Sequence, residues 1–330
     1  MIRSRTAVVF CLLAVIAGCQ ASDPLPSWNE GAAKQRIVAF VRTVTDPASE
    51  TYVRPAERIA VFDNDGTLWT EQPLYVQVEF IFDRIQALAP NRPEWAEKPV
   101  FKAALNRDYD AMRSHGHAGL IELVLAAQTG MTTDEFEQLV LDWLATAKHP
   151  RFDQPYTACV YQPMLELLDY LRANGFQTWI VSAGNAGFIR PWTEQAYGIP
   201  PEQVVASRVV AKYELRDGIP VIMRMPESDF SNSGPDKAVG IYQLIGRRPI
   251  LAVGNSDGDF EMLEWTTAGP GRRLGVFIHH DDTVREAAYD RDSSIGRLRR
   301  GLDAAAHHDW LVVSMKNDWR RIFPFELASR

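Results

Sequence analysis

Asp63 and Asp65 stand two residues apart, close an uncharged apolar run over 59–62 and are followed by Gly66. A run of that kind suits a buried strand. Two apart along it, the carboxylates point the same way, and like charges that close repel unless a cation or a donor stands between them. A carboxylate at an exposed strand end is a candidate nucleophile: attacking phosphorus, it forms an acyl phosphate and splits one displacement into two. Phosphate esters are anionic, so the charge must be neutralised. Mg²⁺, which prefers oxygen ligands and bridges carboxylate to phosphate, suits that task. Asp65 can then protonate the leaving oxygen and later deprotonate water. Ser182, with the backbone N–H groups of Ala183 and Gly184 before a helix, suits phosphate oxygens. Lys237 supplies a point charge to nucleophile and phosphoryl group. Asp259, ending the turn 254–259, suits the metal or its water.

These residues need elements that gather them. Short apolar strands at 178–181 and 249–253 end, like 59–62, in polar loops bearing glycine. Amphipathic helices are expected over 163–174, 186–197 and 237–245. Strands alternating with helices imply a parallel sheet whose strand ends lie side by side, and open α/β sheets bind ligands at that end. A hairpin is expected from 204–214 and 220–225, joined by Arg216-Asp217-Gly218, with a later strand at 275–279. Residues 76–148 instead read as helices alone, over 76–88, 99–112, 120–128 and 133–147. They form an insertion directly after the Asp63 loop. The chemistry requires the loops to surround one cavity, with the Lys237 amine within contact range of Asp63.

Asp63-Asn64-Asp65-Gly66-Thr67, Ser182, Lys237 and Gly254-Asn255-Ser256-Asp257-Gly258-Asp259 resemble, in order and in local context, the four motifs of the haloacid dehalogenase (HAD) superfamily, over residues 59–262. With Val181-Ser182-Ala183-Gly184 and the ending Asp259-Phe260-Glu261-Met262, the pattern is most similar to the phosphoserine phosphatase-like branch. The resemblance implies an α/β fold with a Rossmann-like parallel-sheet core (31–75 and 149–330) and a helical C1 cap (76–148). It implies a Mg²⁺-dependent phosphomonoester hydrolase that forms an aspartyl-phosphate from a small phosphorylated metabolite. Asp63 is then nucleophile and metal ligand, and Asp65 is the acid/base that also binds metal through its carbonyl. Ser182 and Lys237 bind the phosphoryl group, with Thr67, Ala183 and Gly184 in the same loops. Asn255 and Asp259 complete the metal site.

Two positions depart from the pattern. Asn255 stands where the family usually has a metal-binding aspartate, and a neutral amide is a weaker ligand for a hard cation. The position usually held by a glutamate facing an amino-acid ammonium falls on Gln72, with Glu71 beside it. Asp65 favours phosphoryl transfer over dehalogenation, because a halide leaves without a proton. A phosphotransferase, or a catalytically weak binding protein on the same fold, shares these residues.

Composition fits a soluble globular chain, with 46% hydrophobic and 23% charged residues, and its length allows one substantial core plus a smaller unit. A net charge of −7 with both signs scattered argues against a nucleic-acid partner. Arg3 and Arg5 precede an uncharged stretch over 6–18, a signal-peptide core in length. Ile16-Ala17-Gly18-Cys19 resembles a bacterial lipobox. The expectation is a leader over 1–18, lipid on Cys19, a tether over 19–30 and a periplasm-facing membrane anchor; an ordinary cut near Ala17 or Ala21 gives a soluble periplasmic or secreted form instead. Cys159 reads as a core residue. His115 and His117 lack a third metal ligand, the run 279–282 reads as a polar strand end, and Trp69 as packing at the cap hinge. Arg107 and Arg113 read as a solvated helix face.

Overall fold

The computed structural model describes residues 23–327; the leader, Cys19 and its proposed lipid lie outside them. Eight strands make up one sheet: β1 (Ile59–Phe62), β2 (Gln177–Asn185), β3 (Val204–Arg216), β4 (Ile219–Phe230), β5 (Leu251–Gly254), β6 (Leu274–Asp281), β7 (Ala288–Tyr289) and β8 (Leu311–Ser314). Their order is β4-β3-β2-β1-β5-β6-β7, with β8 paired to β6. β3, β2, β1, β5, β6 and β8 are parallel; β4 and β7 join antiparallel. The expected α/β class with a parallel core is what the chain adopts. Every residue of β1 and β5 is buried, as strands covered on both faces require. From β1 the chain builds β2 and β3 on one side, then crosses to β5 and β6 on the other. The carboxyl ends of β1 and β5 therefore flank the point where strand order reverses, where such sheets open a crevice.

The helices are α1 (Ala32–Thr45), α2 (Val76–Leu88), α3 (Pro99–Leu105), α4 (Tyr109–Ser114), α5 (Gly116–Gln128), α6 (Thr133–Thr146), α7 (Gln162–Ala173), α8 (Ala186–Tyr197), α9 (Pro235–Leu244), α10 (Phe260–Thr267), α11 (Arg300–Ala304) and α12 (Met315–Asp318). The insertion α2–α6 contains no named strand. Two expectations change here. The single helix over 99–112 is two, because Arg107 takes φ 50 and the Asp108 carboxylate caps α4 by accepting from Ala111 N, a role short polar residues prefer to a helix interior. Within the described residues, the tether expected over 19–30 is packed against the body from Leu25. Leu25 and Trp28 are fully buried, and the Trp28 indole donates to Pro163 O and meets Trp319 edge-on.

The hairpin is longer than expected. Its two-residue turn has positive φ at Asp217 and Gly218, the geometry that matches strand twist, and pairing runs on from Arg216↔Ile219 to Arg208↔Phe230. Cap and core share one apolar interior. The Phe80 ring of α2 contacts Phe136 of α6, Trp143 of α6 and Phe188 of α8 at centroid distances of 5.9, 5.4 and 5.3 Å. Arg224 of β4 lies 4.0 Å from the Phe136 ring centroid, an attraction of the ring face for a cation.

Candidate active site

β1 hands the chain to the loop 63–69 at the crevice. Asp63 N donates to Val253 O of β5 at 2.9 Å, so the pairing of the two strands continues into the loop. The loop then folds on itself, with Leu68 N donating to Asn64 O and Gly66 N to Trp69 O, each at 2.8 Å. Gly66 has φ 71, and a Cβ there would fall 2.1 Å from Asn255 Nδ2 and 2.4 Å from Glu71 Oε1. Glycine is demanded by both conformation and space.

The Lys237 amine, in the first turn of α9, lies 2.8 Å from Asp63 Oδ1 and 2.5 Å from Asp259 Oδ1. Asp259 is wholly buried, and its Oδ2 accepts from Asn255 N, Ser256 N and Ser256 Oγ. Its carboxylate is thus spent on capping the turn 256–259 and holding Lys237. The geometry gives it a capping role beside the expected one toward the metal or its water. Asp65 accepts from the Trp69 indole at 2.9 Å, and that indole stacks on Trp192 at 4.3 Å. Trp69 packs as expected, and in doing so orients Asp65.

Ser182 is buried, and its Oγ accepts from Gly184 N at 3.0 Å. Asn232 clamps the segment by donating to Ser182 O and Val205 O. The β2–β3 register slips between Ser182 and Asn185, a bulge of the kind that re-aims residues at strand ends. Ala183, Gly184 and Asn185 line the cavity; Ser182 sits behind them. Gln77 of the cap accepts from Asn185 N at 2.8 Å. Thr67 is also buried behind the wall, donating to Asn255 Oδ1 at 3.1 Å.

The cavity encloses about 580 Å³, and Asp63, Asp65, Glu71 and Lys237 all reach it. Of the residues expected to act on substrate, Asp63, Asp65, Ala183, Gly184 and Lys237 share this space; Thr67, Ser182, Asn255 and Asp259 support its wall. Glu71 is the member that sequence reasoning did not assign. Its Oε1 accepts from Asn255 Nδ2 at 2.6 Å and from Tyr289 OH at 2.8 Å. His280 is a second. It is buried, and its Nε2 lies 2.7 Å from Gly66 O and its Nδ1 3.3 Å from Glu286 Oε2. Glu286 in turn accepts from Thr70 and Tyr161. The polar strand end at 279–282 was visible in sequence; its partner, a carbonyl 214 residues away, was not.

Burial dominates the electrostatics. It pushes the Asp63 carboxyl up to about 8, reinforced by Asp259 and opposed by Lys237. Burial raises Asp65 too, against the indole hydrogen bond. It holds Glu71 well above the ordinary carboxylate range, opposed by Tyr289 and reinforced by Asp65 and Asp63. Burial alone would lower Lys237, but Asp259 and Asp63 raise it, so the amine stays charged. Four carboxylates gather around one ammonium, and a missing countercharge is what a dication would supply. The donors are oxygens, the set Mg²⁺ prefers. Among the described residues no three His, Cys, Asp or Glu side chains could hold a metal by themselves, so backbone carbonyl, amide oxygen or water must fill the remaining positions. Mg²⁺ commonly retains such waters. Within that limit, the residues fit the ion. The expectation for His115 and His117 involves a side chain, that of His117, outside those described. Arg107 pairs with Glu79 and Asp83, and Arg113 with Asp110.

Residues 60–264 match the family model of the haloacid dehalogenase-like hydrolases. Comparison with curated proteins finds no match. Among solved structures, the chain is similar to a conserved, functionally unknown protein from Anaerococcus prevotii (17% identity, TM-score 0.50, covering 76% of this chain and 86% of that one). It is also similar to a protein of unknown function from Bordetella pertussis (17%, TM-score 0.49, 78% and 98%) and to a phosphoserine phosphohydrolase-like protein from Francisella tularensis (16%, TM-score 0.39, 76% and 98%). At such identity, the likeness to the first concerns fold alone.

Proposed function

Because the chain belongs to the haloacid dehalogenase-like hydrolase family, we propose that it is a Mg²⁺-dependent phosphomonoesterase working through an aspartyl-phosphate on Asp63. The observation that carries this reading is the 2.8 Å contact between Lys237 Nζ and Asp63 Oδ1 at a cavity that Asp65 also lines. A carboxylate, an ammonium and a second carboxyl held in a desolvated space are the parts phosphoryl transfer needs. Asp63 attacks phosphorus; the P–O bond to the leaving group breaks as the Asp63–phosphorus bond forms. Asp65, whose carboxyl burial raises from its ordinary value, is placed to give a proton to the departing oxygen. Asp65, now ionised, takes a proton from the water that attacks phosphorus, and inorganic phosphate and free Asp63 result. Lys237 favours the charge spread over the phosphoryl oxygens. Asp63, the Asp65 carbonyl and the Glu71–Asn255 pair would hold Mg²⁺, which supplies countercharge to nucleophile and phosphate.

The rival is a weak or inactive binder, for which Asn255 argues. The 2.6 Å bond from Asn255 to Glu71 favours the enzyme, because a carboxylate remains beside the position where the amide replaces one. The proposal includes an envelope location through lipid on Cys19. Hydrolysis of p-nitrophenyl phosphate by the protein should require Mg²⁺ and fall about 10³-fold or more in Asp63→Asn, as loss of a covalent nucleophile entails. Full activity in Asp63→Asn would remove the aspartyl-phosphate; no turnover of any phosphate ester would favour the binder.

A further inference from the structure

α5 has little polar face. In Gly116–Gln128 the acidic and basic residues are two, His117 in the first turn and Glu122. A helix apolar nearly all round is ordinarily buried all round, yet this one is not. Leu123 and Ala127 are buried in the cap interior; Leu120 and Val124, beside them on the helix, touch that interior too and, with Ile121 and Leu125, line the active-site cavity. Val78 and Ile81 of α2 join them, with Val209 and Phe230 of the hairpin. Among the described residues of the cap on the wall, none is charged, and Gln77 is engaged with Asn185 N. The arginines on the wall are already paired, Arg208 with Asp229 at 2.9 Å and Arg297 more loosely with Asp257 at 3.8 Å. A polar leaving group bearing its own carboxylate or ammonium would lose hydration here and find no charged partner among the described residues of the cap. An apolar one would exchange water for the α5 face.

We propose that the substrate is a phosphate monoester whose leaving group is a sizeable apolar alkyl or aryl moiety, seated on the Leu120–Leu125 face of α5 while its phosphoryl group meets Asp63 and Lys237. The inference rests on the phosphomonoesterase reading, and it deepens that reading from a small phosphorylated metabolite to an amphiphilic ester. The cavity is continuous from Asp63 to α5, so the two ends of such a molecule fit one space, and about 580 Å³ is far more than a phosphoryl group on a three-carbon stem fills.

The test uses straight-chain alkyl phosphates from ethyl to decyl, whose leaving-group reactivity is nearly constant, with glycerol phosphate and phosphoserine as polar comparators. With Mg²⁺ present, kcat/KM should rise roughly threefold to fourfold per methylene over the first several carbons, the factor for burying a CH₂, and the polar esters should be poor substrates. Binding of the same esters, read as the rise in melting temperature of the protein, should climb along the series independently of turnover. Val124→Asn, checked for folding by circular dichroism, should cut kcat/KM for octyl phosphate at least tenfold. A flat chain-length series in both rate and melting temperature, or preference for the polar esters, overturns the apolar substrate. Absence of all turnover with a climbing melting temperature would instead remove the esterase reading and keep the apolar site.

Discussion

Glu71 and Asn255 act as a pair: the amide at 255 donates to the carboxyl group at 71, so the carboxyl expected on one loop, with the charge it carries when ionised, stands on another. If that charge serves the cation, Glu71→Gln should reduce the rise in melting temperature that millimolar Mg²⁺ gives the protein, a rise of about 2.7 kcal/mol in stability when the ion is at a hundred times its dissociation constant. An unchanged Mg²⁺ response in the variant would exclude it. His280 acts at one remove from the chemistry. By donating to Gly66 O, the imidazole fixes the loop that carries both aspartates, and Glu286 fixes the imidazole. His280→Ala should lower kcat about tenfold or more with KM little changed, because a small misplacement of reacting groups is costly. His280→Gln, whose amide N–H can reach the same carbonyl, should recover much of it. Equal loss in both variants would argue for a merely structural imidazole.

At the scale of elements, the segment joining α6 to α7 is held by His149. Its Nδ1 accepts from Arg151 N at 3.1 Å, so Nε2 bears the hydrogen and donates to Gln72 O at 2.8 Å. Protonating Nδ1 would set one N–H against another. Burial lowers this imidazole below 6.5. The sign follows: with the folded value depressed, the contribution is fully present above the unfolded value of about 6.5 and is lost as pH falls through the folded one. The melting temperature should therefore drop as pH is lowered from 7.5 to 5. In His149→Asn, already less stable at pH 7.5, that drop should be shallower. Parallel pH profiles of the two proteins would show that another group sets the slope.

The whole molecule is bound together by the aromatic cluster of Phe80, Phe136, Trp143 and Phe188, which belongs to cap and core at once. Such an interface predicts one cooperative transition for the body rather than a cap that melts ahead of it. Phe188→Ala should remove about 3–5 kcal/mol, the range for a buried phenylalanine, and shift that single transition down. Two calorimetric peaks, with only one displaced by the variant, would mean that cap and core unfold separately.

The sequence by itself determined what local pattern can encode. The apolar runs of β1 and β5, the glycine-bearing loops after them, the order of the four motifs and the all-helical insertion between Val76 and Thr146 were legible because strand and helix periodicities span only a few residues. α8 begins and ends where its pattern does, at Ala186 and Tyr197. The break at Arg107 escaped because one left-handed residue leaves little trace in a periodic pattern. The tertiary structure alone decided the contacts that the parallel crossovers create: Glu71 with Asn255, 184 residues apart, and His280 with Gly66, 214 apart. It also decided that α5 faces a cavity as well as a core, since periodicity marks a face as apolar without saying what covers it.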